Sequence, residues 1–82
     1  EETTLNIGVY PNPSRDGIIY INNPDRHVID QVQVFDLNGR LVYTVGRNSD
    51  ELTTIQLPDE KGLYLIVILT EEQRLIEKVT RY

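Results

Sequence analysis

A single histidine, two serines and a scatter of carboxylates are the side chains whose pairing would carry familiar reaction chemistry, so they come first. His27 stands alone in the segment Asp25-Arg26-His27, and one imidazole does not make a His-rich metal site. A nucleophile-base pair needs Ser14 or Ser49 beside His27, with a third group orienting the ring. Both serines lie in segments rich in Asn, Asp or Pro, and turn chemistry accounts for them. Asp59-Glu60 and Glu71-Glu72 are adjacent carboxylates. Neighbours on a strand point to opposite faces, and in a turn they splay into water, whereas paired acid-base work needs two carboxyls converging across a cleft. Asn22, Asn23 and Asp25, or Asn48, Asp50 and Glu51, offer oxygen ligands for calcium without the spacing of a calcium loop. No glycine-rich phosphate loop is present. Catalysis, metal binding and a cofactor are therefore not expected.

The elements that would have to hold any site are short. With 82 residues the chain is sized for one domain, expected over 1–82 with 1–4 as a linker remnant. Apolar residues do not recur with helical period over three turns. They come in short runs separated by turn residues, the mark of a sandwich or barrel. The expected strands are Leu5 to Tyr10, Ile18 to Ile21, Ile29 to Phe35, Leu41 to Val45, Thr53 to Leu57, Leu63 to Leu69 and Leu75 to Thr80. Pro11-Asn12-Pro13 ends the first, because neither proline can donate to a ladder. Asn38-Gly39 suits a type I′ hairpin turn. Leu63 to Leu69 is apolar on both faces and reads as a strand that is central or has one face under another surface. The expectation is an all-β, seven-stranded antiparallel immunoglobulin-like sandwich. Its expected core is Val9, Ile19, Ile21, Val32, Val34, Leu41, Ile55, Tyr64, Ile66, Ile68 and Val79.

Eight basic against thirteen acidic residues give a net charge of -5. That balance argues against nucleic acid and anionic membrane surfaces as partners. No run approaches the roughly 20 apolar residues of a membrane-spanning helix, so membrane insertion is not expected. Zero Cys removes disulfides and thiolate sites. The chain opens Glu1-Glu2-Thr3-Thr4, with no initiator Met or signal peptide, and reads as a fragment of a longer protein or a mature product. What remains is an interaction module.

Four punctuation marks recur in a familiar order. Val9-Tyr10-Pro11-Asn12-Pro13-Ser14-Arg15-Asp16-Gly17 is similar to the opening of the type A C-terminal sorting domains of the type IX secretion system of Bacteroidetes. Val34-Phe35-Asp36-Leu37-Asn38-Gly39-Arg40-Leu41-Val42 resembles that family's hairpin, and Lys61-Gly62-Leu63-Tyr64-Leu65-Ile66 its glycine-tyrosine strand. Glu77-Lys78-Val79 sits where the family has a Lys-rich final strand, although the end, Lys78-Val79-Thr80-Arg81-Tyr82, departs from its usual lysine spacing. The resemblance implies a non-catalytic signal that takes a larger cargo protein through the periplasm to the cell surface or medium. It implies recognition by the outer-membrane translocon and, in many members, cleavage by a sortase-type protease. Candidate recognition residues are Pro11, Asn12, Pro13, Gly17, Asp36, Gly39, Arg40, Gly62, Tyr64, Lys78 and Arg81, with Lys78 and Arg81 read as exposed charges. The alternative is an immunoglobulin-like accessory or carbohydrate-binding module of an extracellular enzyme. An exposed aromatic platform among Tyr10, Tyr20, Tyr43, Tyr64 and Tyr82 would favour it.

Overall fold

The computed structural model describes residues 5–82, so the expected linker remnant at 1–4 lies outside the described residues. Among the described residues seven strands follow one another without a helix: β1 (Gly8–Tyr10), β2 (Ile18–Asn22), β3 (Ile29–Phe35), β4 (Leu41–Val45), β5 (Leu52–Gln56), β6 (Gly62–Thr70) and β7 (Arg74–Arg81). They form two antiparallel sheets, ordered β1-β2-β5 and β4-β3-β6-β7. Face-to-face packing of a three- and a four-stranded sheet, with connections that cross from one to the other, is the immunoglobulin-like sandwich the spacing predicts.

Alternation decides which side chains meet between the sheets. Ile19, Ile21 and Ile55 from one sheet face Ile29, Val32, Val34, Tyr64, Ile66, Ile68 and Val79 from the other, all essentially buried. Each buried aliphatic side chain contributes about 1.5–3 kcal/mol relative to exposure, which is how a chain with one Phe and no Trp holds together. β6 lies between β3 and β7, which explains its two-faced apolar composition.

Several sequence expectations need correction. Leu41 is 47% exposed, not core. The register between β3 and β4 slips at Val34/Phe35, and Val42 takes the place against the core instead. Val9 is half-buried and packs on the core from its rim. Strand β1 starts at Gly8 rather than Leu5. Ile29 is a core residue that the expected set lacked, Leu57 is buried as its inward place on the fifth strand predicts, and Val67 is buried on the outer face of its sheet. Leu57 follows the last paired residue of β5 and is held instead by its N–H, which donates to Gly17 C=O at 2.7 Å.

The turn at Asn38-Gly39 is not type I′, which needs positive φ at both central residues. Gly39 has φ +78, while Asn38 is not in the positive region. Gly39 N–H donates to Asp36 C=O, and Asp36 N–H to Arg40 C=O, both at 3.0 Å. The loop is therefore a β-turn followed by a left-handed glycine, the three-residue bulged hairpin. Asp36 explains the choice: one carboxylate oxygen accepts from both Asn38 N–H and Arg40 N–H, which holds the intervening backbone.

Candidate functional site

Strand registers place all four sequence motifs at one pole of the sandwich. Pairing of Ile18 with Gln56, Phe35 with Leu41 and Leu65, and Gly62 with Arg81 puts the start of β2, β4 and β6 and the end of β3, β5 and β7 together. We call this the closing pole. Leu5 lies at the other end, beside His27, Val28, Thr70 and Glu71. The molecule measures 36 × 24 × 22 Å.

At the closing pole the proline segment docks on the last strand. Asn12 acts as a side-chain peptide group: its Nδ2 donates to Lys78 C=O at 2.7 Å, and its Oδ1 accepts from Thr80 N–H at 3.1 Å. Ser14 continues the pairing, donating its N–H to Thr80 C=O and accepting from Tyr82 N–H, as a parallel bridge. Pro11 and Pro13, each after a cis peptide bond, flank the clip on the exposed surface. The Ser14 hydroxyl is buried, donates to Ile18 C=O and accepts from Gly17 N–H. It shapes the turn and is not oriented by a histidine.

Arg81 overturns the expectation of an exposed charge. Its side chain is 14% exposed and crosses between the sheets. Nη1 donates to Pro58 C=O at 2.6 Å and Leu57 C=O at 3.2 Å, while Nη2 lies 3.9 Å from Asp59 Oδ1. Gly17, at φ +82, makes room for it: a Cβ there would overlap the guanidinium. The first motif and the end of the last strand are thus one packing arrangement. Lys78, in contrast, is exposed.

The other two motifs also adjoin. Asp36 Oδ2 accepts from Arg40 Nε at 3.0 Å and pairs with Nη2 at 3.0 Å. Backbone and guanidinium donors favour the charged form and hold the Asp36 carboxyl below the usual carboxylate range, led by the Arg40 N–H bond. Tyr64 is buried, and its hydroxyl donates to Glu60 C=O at 2.7 Å, in the manner of a tyrosine corner. Burial pushes that phenol up from its ordinary value. Asp36, Asn38, Glu60, Gly62 and Tyr64 share a shallow depression of about 190 Å³.

The remaining chemical candidates are dispersed. His27 Nε2 sits 3.8 Å from Asp25 Oδ2. Asn23 is buried, donating from Nδ2 to His27 C=O and accepting His27 N–H at Oδ1, so its amide is a loop brace. Asn48 braces its own loop through Gly46 C=O and Asp50 N–H. A cleft of about 480 Å³ at the opposite pole is lined by His27, Asp30, Arg47, Glu71 and Glu72, with Arg47 3.9 Å from Asp30. No group of three or more His, Asp or Glu among the described residues is placed to hold a metal ion. No helix among them is long and apolar enough to cross a membrane. The tyrosines do not assemble: Tyr10 and Tyr20 stack tilted at 5.5 Å and 34°, Tyr64 is buried, and Tyr82 accepts from Arg15. Sequence reasoning missed the roles of Ser14 and Arg81. A serine between proline and glycine, and a cation in register with an apolar strand, were the available signals.

Fold and pole together define a small immunoglobulin-like sandwich module whose motifs serve one end of the molecule. The chain belongs to the secretion system C-terminal sorting domains, whose family profile matches residues 8–80. It is a sorting signal of the type IX secretion system, non-catalytic as a domain, and its membership implies export to the cell surface or medium. It is also similar to an ulvan lyase, NLR42, of Nonlabens ulvanivorans, at 29% identity over 86 residues. That alignment covers 94% of this chain and 16% of the lyase, so the chain spans under a fifth of its relative's length.

Proposed function

We propose that this domain is the carried signal of a larger cargo protein joined ahead of Glu1, and that the closing pole is the surface its machinery reads. The supporting observation is the convergence of four motifs, from distant parts of the chain, on the pole away from Leu5. Cargo attached at the Leu5 end leaves that pole accessible. Within it the buried members, Gly17, Tyr64 and Arg81, and the hairpin members, Asp36, Gly39 and Arg40, set the shape; Gly62 opens β6 beside them. The exposed members, Pro11, Asn12, Pro13 and Lys78, are the contact candidates. Transit runs through the periplasm to an outer-membrane translocon, and a sortase-type protease then removes the domain. The similarity to a lyase fits an extracellular enzyme as cargo.

The test is a fluorescent protein with a periplasmic export signal, fused ahead of Glu1, in a bacterium with type IX machinery. The fusion reaches the medium or surface, and deleting residues 77–82 traps it in the periplasm. Retention of the intact fusion, where an established sorting domain exports the same cargo, overturns the reading. Arg81 holds the two sheets together, so Lys78→Ala alone tests whether charge at the pole is read.

A further inference from the structure

The last strand has two unlike halves along its outer edge. The hairpin closes with Thr70 N–H donating to Gln73 C=O at 2.9 Å. Alternation from that pair turns the backbone groups of Leu75, Glu77, Val79 and Arg81 toward β6, and those of Ile76, Lys78 and Thr80 outward. From Lys78 C=O to Tyr82 the outward groups are met by Asn12 and Ser14. Ile76 N–H and C=O and Lys78 N–H have no partner among the described residues. The β6–β7 register runs from Gly62–Arg81 to Leu69–Arg74 with no bulge, so this open stretch is a regular template.

Its side chains alternate in kind. On the outer face of the four-stranded sheet stand Arg74, Ile76 and Lys78, all exposed, with Ile76 52% exposed and opposite Val67. A cation, an apolar side chain and a second cation, at two-residue spacing, face outward on a protein of net charge -5.

We propose that the open half of β7 takes an added strand: an extended segment of the export machinery bearing acidic, apolar and acidic residues at alternate positions. Resting on the sorting reading above, this names the chemistry of the partner. Main-chain hydrogen bonds to Ile76 and Lys78 supply attachment, and the carboxylates opposite Arg74 and Lys78 set register. The Asn12–Ser14 clip ends the added strand at Lys78, because the edge beyond is already paired.

The probe is the end-blocked peptide Glu-Thr-Val-Thr-Glu, added to the 82-residue chain while amide hydrogen exchange is followed by NMR. Exchange at Ile76 and Lys78 slows at least tenfold, and exchange at Thr80 is unchanged. Unchanged exchange at millimolar peptide overturns the proposal, as does equal protection by an N-methylated peptide or by Lys-Thr-Val-Thr-Lys. Protection that grows with protein concentration without peptide makes a second copy the occupant and also overturns it. In the export assay, Ile76→Pro removes an outward N–H and leaves the ladder to β6 intact, and export falls at least tenfold. Where that variant melts early, Arg74→Glu with Lys78→Glu takes its place, against Arg26→Glu with Arg47→Glu as a charge-matched control. If the intact fusion is exported and these variants follow it equally, strand addition is wrong. If the intact fusion is retained, the sorting reading fails, and the peptide experiment still decides the edge.

Discussion

Arg81 and Asp36 show how charged residues of this small domain act through their bonds rather than through net charge. Arg81 satisfies the carbonyls of Leu57 and Pro58 from the opposite sheet. Removing a charged donor leaves such groups unmet, at about 1–3 kcal/mol. Arg81→Ala should therefore lower stability by that amount, and Arg81→Lys should recover only part, since an ammonium lacks the planar fork. Lys78→Ala should stay within about 0.5 kcal/mol. Urea unfolding distinguishes them: equal midpoints for Arg81→Ala and Lys78→Ala would remove the inter-sheet role. Asp36 contributes a pH dependence of its own. Its folded carboxyl titrates below its unfolded value, so the stabilisation is complete above about pH 4 and is lost as pH falls through the lower, folded value. Asp36→Asn should melt earlier at neutral pH and show a shallower loss of stability below about pH 4 than the parent. Identical acid slopes for the two proteins would assign that loss to other carboxylates.

At the scale of the element, the β3–β4 hairpin separates what residue types announce from what side chains decide. Asn-Gly announces a turn, and a turn forms there, but the Asp36 carboxylate draws in two backbone donors and leaves only Gly39 at positive φ. No atom lies within 4 Å of a Cβ built on Gly39, so strain at this site is purely one of φ. Gly39→Asn should thus lower the melting temperature less than Gly39→Val, because Asn tolerates the left-handed region and a β-branched residue does not. Equal losses would point to crowding instead. The same hairpin explains the error at Leu41. Strict alternation from Val45 does not survive a register slip, and a slip is invisible to a period-two pattern. Ile19, Ile21 and Ile55 were legible because the β2–β5 ladder keeps register from end to end, and Ile66 because its ladder to β7 does. Arg81 was not, because a cation reads as solvent-facing unless the loop carbonyls that receive it, 23 and 24 residues away, are known.

The whole molecule is a polar object in the geometric sense. Leu5 and the 480 Å³ cleft lie at one end, and at the other the chain finishes with Tyr82 N–H bonded to Ser14 C=O. Every sequence motif is at the second end, yet most of its members hold structure: a clip, a latch, a hairpin and a tyrosine corner. On the proposed reading the signal is a shape that exists only when the sandwich is folded, since the closing pole is built from four separate segments. That has a consequence for how cargo must be attached. A passenger ahead of Glu1 is joined at the Leu5 end, whereas one joined after Tyr82 emerges beside Asn12, Ser14 and Lys78 and covers them. The two fusions should melt alike in the domain transition, because Tyr82 is half exposed and its side chain bonds only Arg15 among the described residues. They should differ in export, with the passenger after Tyr82 retained in the periplasm of a type IX host and the passenger ahead of Glu1 released. Secretion of both in equal yield would show that the closing pole need not be open, and would move recognition to the sheet faces.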